Sequence, residues 1–170
     1  MLIPLLSVLL LVPSAGSLSN GRRQVLAVAH QRTACELITR AGVQQALGRV
    51  VANGVGTSQS VRESGCEFAA REGQVTISLQ HLDVKPEMEA ELNNLQKALP
   101  GAAVCRLTGF GERAEVWLVG LGDAGVQIHM IFGERDYVMV SLLGLGEAGL
   151  VSDSARSISH QVLAILLSAR

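Results

Sequence analysis

Gly-Val-Gln-Ile-His-Met-Ile-Phe at residues 125–132 and Asp-Tyr-Val-Met-Val-Ser-Leu-Leu at residues 136–143 flank the short turn sequence Gly-Glu-Arg. Both runs are rich in Val and Ile, and apolar side chains recur at alternate positions, which predicts the two strands of a hairpin. Similar runs lie at residues 104–107 and 114–119, again bounded by Gly-containing turns. Consecutive strands joined by short turns predict an antiparallel meander.

A second pair of strands is predicted upstream of this meander. Cys66 and Phe68 share one face of the first strand, and in the next strand Val75, Ile77 and Leu79 alternate with polar residues. Glu72 and Gly73 predict a hairpin turn between the two strands. Residues 53–60, which are rich in Gly, Ser, Thr and Asn, predict a loop.

Three helices are predicted around the strands. Thr39 caps a short first helix that Gly48 ends. Pro86 opens a second helix, which stops at Pro100, and Ser152 or Asp153 caps a closing helix. The apolar positions at helical spacing are Val43, Ala46 and Leu47 in the first helix, Met88, Leu92, Leu95 and Leu99 in the second, and Ala155, Ile158, Val162 and Ile165 in the third.

The predicted order of elements is α-β-β-α-β-β-β(-β)-α. Strands in hairpins with helices set apart from them indicate an α+β fold, in which two to three helices cover one face of an antiparallel sheet. About 140 residues from position 33 onward are enough for one core, so residues 33–170 are predicted to form a single domain.

The chain begins with an apolar, uncharged run at residues 2–13, followed by the small residues of 14–17. This pattern predicts that residues 1–17 are a signal peptide, although no Lys or Arg precedes the run. The alternative is a membrane anchor, but a bilayer span needs about 20 apolar residues. We therefore expect cleavage, a secreted or periplasmic protein without stable membrane insertion, and a tether at residues 18–32.

Composition disfavours several classes of partner. Fourteen Lys and Arg residues against fifteen Asp and Glu residues give a formal charge of -1, so no strong field attracts nucleic acid or anionic lipid. Aromatic residues make up 3% of the chain, so few rings are available to stack on the bases of a nucleic acid. Partners are therefore expected to be a protein or a small molecule and not a nucleic acid.

The three cysteines are expected to reflect an oxidising compartment. Cys35 precedes the first helix and Cys66 lies on the inner face of a strand, so a bridge between them would join helix and sheet. The sequence favours this pairing, while the other pairings stay open. The remaining Cys105 is expected to be buried beside Leu107 and Phe110, with an intermolecular disulfide as the alternative.

The sequence contains no motif for catalysis, metal binding or cofactor binding. The four histidines have no metal-ligand spacing, and there is no nucleophile elbow or phosphate-binding loop. The three Gly-x-Gly-acid segments at 109–112, 120–123 and 144–147 are interpreted as turns. No cofactor is expected, and an enzyme would need a site assembled from distant residues, such as His129 with Glu115 or Asp136.

The polar sides of the strands are the candidate binding surface. Their side chains alternate with apolar partners, as on any solvated sheet face. The residues are Thr76, Ser78, Gln80, Gln127, His129 and Ser141. Trp117 and Tyr137 are a second candidate, because such residues often dominate protein interfaces.

Several short segments in this order resemble bacterial secreted and lipoprotein domains of unknown function. They are residues 35–39, Val43, residues 46–48, Cys66, the Gly-Leu-Gly-Asp turn at 120–123 and a closing helix ending at Leu166. The resemblance implies a PsbP-like α/β sandwich with a helix-to-strand disulfide, and it implies no catalytic residues. The chain departs from that group by lacking a lipidation cysteine and by carrying Cys105.

Three functions are open at this point. The first is a non-enzymatic binding or accessory module outside the cytosol. The second is a small envelope enzyme such as a hydrolase. The third is a structural homo-oligomer, for which Cys105 offers a covalent link.

Overall fold

The computed structural model describes residues 32–99 and 101–168. The helices are α1 (Arg40–Leu47), α2 (Met88–Ala98) and α3 (Ala148–Ser168), with short 3-10 turns at Ala34–Glu36 and Gly122–Ala124. The strands are β1 (Val55–Ser60), β2 (Glu63–Ala69), β3 (Gln74–His81), β4 (Ala103–Leu107), β5 (Ala114–Gly120), β6 (Gly125–Phe132) and β7 (Asp136–Leu143). The fold belongs to the predicted α+β class.

All seven strands form one antiparallel sheet in the order β1-β2-β3-β7-β6-β5-β4. The chain builds one half as the β1-β2-β3 meander, crosses the sheet through α2, and builds the other half as the β4-β5-β6-β7 meander. The halves join where β3 pairs with β7 and Ile77 lies opposite Val140. The predicted four-strand meander is confirmed.

One face of the sheet, here called the helical face, packs against α3, α1 and the first 3-10 turn. Alternate residues of each strand point to this face, because the side-chain period of a strand is two. α3 lies across β6 and β7, and it buries Ala155, Ile158 and Val162 against them. The fully buried strand residues on this face include Cys66, Val75, Ile77, Val126, Ile128, Met130, Phe132, Val138, Val140 and Leu142.

The opposite face, here called the α2 face, carries a smaller apolar cluster. Met88 and Leu92 of α2 pack on Trp117, Val119 and Ile131. The cluster lies at the β4 to β6 end of the sheet. α2 therefore occupies one end of this face, and the face is divided into an apolar end and a polar half.

The predicted caps of the first helix are confirmed. Thr39 Oγ1 accepts a hydrogen bond from the Gly42 backbone N–H at 3.1 Å, which satisfies one of the free donors in the first turn. Gly48 ends the helix with φ 64°, a conformation that glycine adopts without strain.

The prediction of a loop at residues 53–60 is wrong, because this segment contains strand β1. β1 lies at the edge of the sheet, and Val55 and Thr57 pair with Glu67 and Gly65 of β2. Its polar, glycine-containing sequence has no apolar alternation. The strand therefore depends on backbone pairing with β2, which overrides weak local propensity.

The helix limits also differ from the prediction. α3 begins at Ala148, before the expected caps Ser152 and Asp153, and the buried Val151 donates its backbone N–H to Glu147. In its last turn Ile165 is 36% exposed, and Leu166 packs into the core in its place. α2 begins at Met88, so Pro86 lies just outside it.

The Cys35–Cys66 disulfide is present, with the Cα atoms 4.9 Å apart. It joins the first 3-10 turn to β2 across a sequence separation of 31 residues. The expected burial of Cys105 is wrong, because this free cysteine is exposed. It lies on the edge strand β4, which contributes Leu107 to the core.

The predicted signal peptide, residues 1–17, lies outside the described residues, and so does the predicted tether apart from Arg32. Arg32 donates a hydrogen bond from Nη1 to the Ile165 carbonyl oxygen at 2.9 Å. Among the described residues, no helix has both the length and the apolar character needed to span a bilayer.

Candidate binding face

The polar half of the α2 face is formed by neighbouring side chains of β2, β3, β6 and β7. The strand register brings Glu67 opposite Thr76, Gly65 opposite Ser78 and Glu63 opposite Gln80. It also places Thr76 opposite Ser141, which in turn lies opposite Gln127. Five of the six residues of the predicted patch therefore form a continuous row of neighbours, and His129 follows Gln127 on the same face of β6.

A directional chain of hydrogen bonds crosses this face. Tyr137 Oη lies 2.6 Å from Nδ1 of His129, and Nε2 of His129 lies 3.2 Å from Oε1 of Gln127. Because an amide oxygen only accepts, Nε2 carries the proton, and Nδ1 accepts from the tyrosine hydroxyl. Gln127 Nε2 then donates to Ser141 Oγ at 3.5 Å.

Burial keeps the central pair of this chain uncharged. His129 is 7% exposed, and burial lowers its pKa to about 4. Burial and the Glu91 carboxylate of α2 raise the pKa of Tyr137 to about 12. Both rings are therefore neutral at physiological pH, and the chain orients polar groups without placing charge inside the sheet face.

Two carboxylates from β2 lie at the margin of the polar half. Glu63 Oε1 accepts a hydrogen bond from Gln80 Nε2 at 2.9 Å, and the register places Glu67 beside Thr76. Both glutamates and both partners are partly exposed. This margin therefore offers carboxylate and hydroxyl oxygens to an approaching molecule.

The two aromatic candidates occupy different positions. Trp117 is 6% exposed, lies beneath α2, and has the Arg106 guanidinium 5.8 Å from its ring centroid. It therefore stabilises the α2 end of the sheet and does not present its ring to a partner. Tyr137 lies between the apolar cluster and the polar chain, where it contacts both.

The proposed enzyme groupings of His129 with Glu115 or Asp136 do not form. Glu115 forms an ion pair with Lys85, and Asp136 lies 2.7 Å from Nδ1 of His81 on the helical face. The second nitrogen of His81, Nε2, is buried and has no hydrogen-bond partner in residues 32–99 and 101–168. A nucleophile that uses this histidine as its base would have to occupy that position.

Among the described residues, the clefts of the molecule include one away from the polar half. An open cleft of about 440 Å³ lies between the end of α1 and the start of α3, where it is lined by Arg49, Glu147 and Asp153 among others. Within the described part of the chain, no three His, Cys, Asp or Glu side chains converge in a way that would hold a metal ion.

Compared with known proteins, the chain matches no family model, no curated protein and no solved structure. The resemblance to PsbP-like sandwiches therefore stays a prediction. The assignment of a site depends on the geometry of this chain alone.

Glu63 and Glu67 were not among the residues predicted for this face. Both alternate with the inward-facing Cys66 and Phe68 on β2, so the period of the strand already placed them with Thr76 and its neighbours. The missing step was the pairing of β2 with β3 in a known register, which the turn at Gly73 sets.

Proposed function

We propose that this chain is a non-enzymatic binding module that acts outside the cytosol, and that its partner docks on the polar half of the α2 face. The observation that carries the proposal is the row of polar side chains that runs from Glu67 of β2 through Thr76 of β3 to Ser141 of β7, in which Glu67 and Thr76 are partly exposed and Ser141 is buried. This row lies on the same face of the sheet as α2, which covers the other end of that face.

The shape of this surface favours a protein partner over a small molecule. Small ligands usually occupy concave, mostly apolar pockets, where much of their surface is buried. The polar half is a sheet surface, and the cleft described above lies on the helical side. A sheet surface with a central buried network and a polar margin resembles the common layout of a protein interface.

The chemistry of the polar half favours a partner that donates hydrogen bonds. Glu63 and Glu67 contribute carboxylates, and the hydroxyl groups of Thr76 and Ser78 accept as well as donate. Partner groups with N–H or O–H donors, including Lys or Arg side chains, would complement this arrangement. Because the formal net charge is only -1, we expect recognition to depend on these local contacts and not on long-range attraction.

The disulfide supports a location outside the cytosol. Disulfides persist in oxidising compartments and are rare in the cytosol of most organisms. The Cys35–Cys66 bridge joins the first 3-10 turn to the sheet, and its two sulfur atoms belong to the core side of the fold. This agrees with the apolar leader at residues 2–13, and we infer that the leader directs export.

The enzyme alternative has weaker support. Its single specific observation is the pair of His81 and Asp136, in which the carboxylate orients the imidazole. General base catalysis requires a substrate or nucleophile within hydrogen-bond reach of the other nitrogen. That nitrogen is buried and has no partner in the described part of the chain, which supplies the imidazole and its orienting carboxylate only.

The proposal is tested by changing the polar half without unfolding the protein. The variant Ser78→Arg places a bulky cation in the middle of the half, and Ala164→Arg makes the same chemical change at an exposed position of α3. Affinity recovery from the native host should lose its specific partner with Ser78→Arg and keep it with Ala164→Arg. Equal recovery by both variants would reject the polar half as the docking surface.

A further inference from the structure

β4 is the last strand of the described sheet, and its outer edge faces away from β5. Residues 103–107 form this short strand, and Cys105 is the central residue. Its thiol is exposed and belongs to no described disulfide. A further strand could add to this edge only through backbone N–H and C=O groups that point away from β5.

The register of the β5–β6 hairpin shows which backbone groups of β4 point to this edge. The Leu121 N–H donates to the Gly125 carbonyl, and the Gly133 N–H donates to the Arg113 carbonyl. In an antiparallel sheet both backbone groups of a residue point to the same neighbour, and the direction alternates along the strand. Odd-numbered residues of β5 therefore bond to β6, and even-numbered residues such as Leu118 bond to β4.

This alternation fixes the direction of the backbone groups in β4. Cys105 pairs with Leu118, so its N–H and C=O point inward to β5. Val104 and Arg106 consequently direct their N–H and C=O groups outward to the open edge. These groups have no backbone partner among the described residues, and they are placed symmetrically on either side of Cys105.

We propose that two copies of this chain join edge to edge through β4, antiparallel about a twofold axis at Cys105. Val104 of each copy would then pair with Arg106 of the other through two backbone hydrogen bonds. The two Cys105 residues would form the non-hydrogen-bonded pair between them. In such a pair the Cα atoms lie about 4.5 Å apart, which is within the range that a disulfide spans.

The covalent step is a thiol–disulfide exchange. Two Cys105 thiols react with one low-molecular-weight disulfide, such as oxidised glutathione, to give one intermolecular disulfide and two small thiols. Both electrons and both protons from the protein thiols leave with the reduced small molecule. The compartment that maintains Cys35–Cys66 would supply an oxidant of this class.

Two observations favour β4 over β1 as the edge that self-associates. β1 has a register irregularity between Ser58 and Ser60, and irregular pairing disfavours addition of a further strand. β4 keeps a regular register along its whole length. Arg106 is held 5.8 Å from the Trp117 ring, which directs its positive charge away from the twofold axis.

The edge of a five-residue strand offers few contacts, so much of the stability of the dimer has to come from the disulfide. The test uses the full exported chain, treated with oxidised glutathione and analysed by non-reducing electrophoresis and intact mass. We expect a doubled mass that returns to that of the monomer on reduction. The Cys105→Ser variant should stay monomeric under the same conditions.

A matched variant tests the register. In Ala103→Cys combined with Cys105→Ser, the new thiol is exposed on the same side of the same strand. Across the proposed axis two such residues would lie about 14 Å apart along the strands, which is too far for a disulfide. Cross-linking of this variant should be at least tenfold slower than that of the wild type, as a rough bound on random encounter.

Amide hydrogen exchange gives a second readout. In the dimer the Val104 and Arg106 amides should become protected, and the Cys105 amide, which is already bonded to β5, should change little. A glutathione adduct on monomeric protein, or equal cross-linking from positions 103 and 105, would overturn the proposal. A dimer without protection of the two edge amides would also overturn it.

Discussion

The Tyr137 hydroxyl donates a hydrogen bond to Nδ1 of His129 at 2.6 Å, diagonally across the β6–β7 hairpin. This contact connects the apolar cluster beneath α2 to the polar chain that leads through Gln127 to Ser141. The neutral His129 ring is an essential part of that connection. Protonation of Nδ1 would remove the acceptor of the tyrosine hydroxyl proton and place a charge in this buried position.

The stability of the fold should therefore depend on pH through His129. The pKa is about 4 in the folded protein against 6.5 for the ordinary group, so the unfolded chain binds the proton more strongly. This contribution is complete above pH 6.5 and is lost as the pH falls toward 4, by roughly 3 kcal/mol over the interval. Urea unfolding between pH 4 and pH 7 measures it.

The variant His129→Gln isolates this effect, because the amide keeps a donor and an acceptor but does not titrate in this range. Its stability should depend on pH less steeply between pH 6.5 and 4. An unchanged slope in His129→Gln would show that this histidine is not the titrating group.

Removal of the Cys35–Cys66 disulfide should destabilise the fold by about 3 to 4 kcal/mol, because the bridge restricts a long loop in the unfolded chain. Urea unfolding of the Cys35→Ala/Cys66→Ala double variant, compared with the oxidised wild type, tests this. Cys105→Ser should leave stability within about 1 kcal/mol of the wild type, since that residue is exposed. A comparable loss in both variants would contradict the assigned role of the bridge.

The turn between β2 and β3 should not tolerate a side chain at Gly73. Its φ is 86°, and an added Cβ would overlap the Leu143 carbonyl oxygen and the Gly144 backbone. Gly73→Ala should therefore cost roughly 3 to 5 kcal/mol of stability. Gly109→Ala provides a matched comparison, because its φ is 91° and nothing lies within 4 Å of the new atom.

Backbone strain alone should make Gly109→Ala cost roughly 1 to 2 kcal/mol. The difference between the two variants measures the steric overlap against β7 and its following turn. Equal losses in thermal or urea unfolding would mean that the backbone of residues 143–144 moves freely to accommodate the methyl group.

Export predicts a processed N-terminus. Ala15 and Ser17 have the small side chains that a leader peptidase requires, so cleavage should follow Ser17 and leave Leu18 as the first residue. Intact-mass analysis of protein from the native host tests this directly. A chain that retains Met1, with the Cys35 and Cys66 thiols reduced and cytosolic, would contradict export.

The central sheet was predictable because its strands have the clearest alternation. In β6 and β7 every second residue enters the core, from Val126 to Phe132 and from Val138 to Leu142. The short turn at 133–135 then sets the register and places His129 near Tyr137. The local sequence was therefore sufficient to predict the contact between Tyr137 and His129, although the two residues were predicted as members of separate candidate surfaces.

Other features depend on tertiary contacts that local sequence does not show. β1 has polar residues and glycines, and it forms because β2 presents an unpaired edge. Cys105 occupies a position of the same parity as the core residue Leu107, but it is exposed, and the local pattern does not show that its strand forms the edge of the sheet. Trp117 is buried because α2 crosses over its strand.

The most direct test of the account is site-specific photo-cross-linking in the native host. A benzophenone amino acid at position 78 reports on the polar half, and the same group at position 164 reports on the exposed side of α3. We predict one specific adduct from position 78, its loss when Thr76 is changed to Arg, and no such adduct from position 164. The same adduct from both positions, or from position 164 alone, would contradict the proposed docking face.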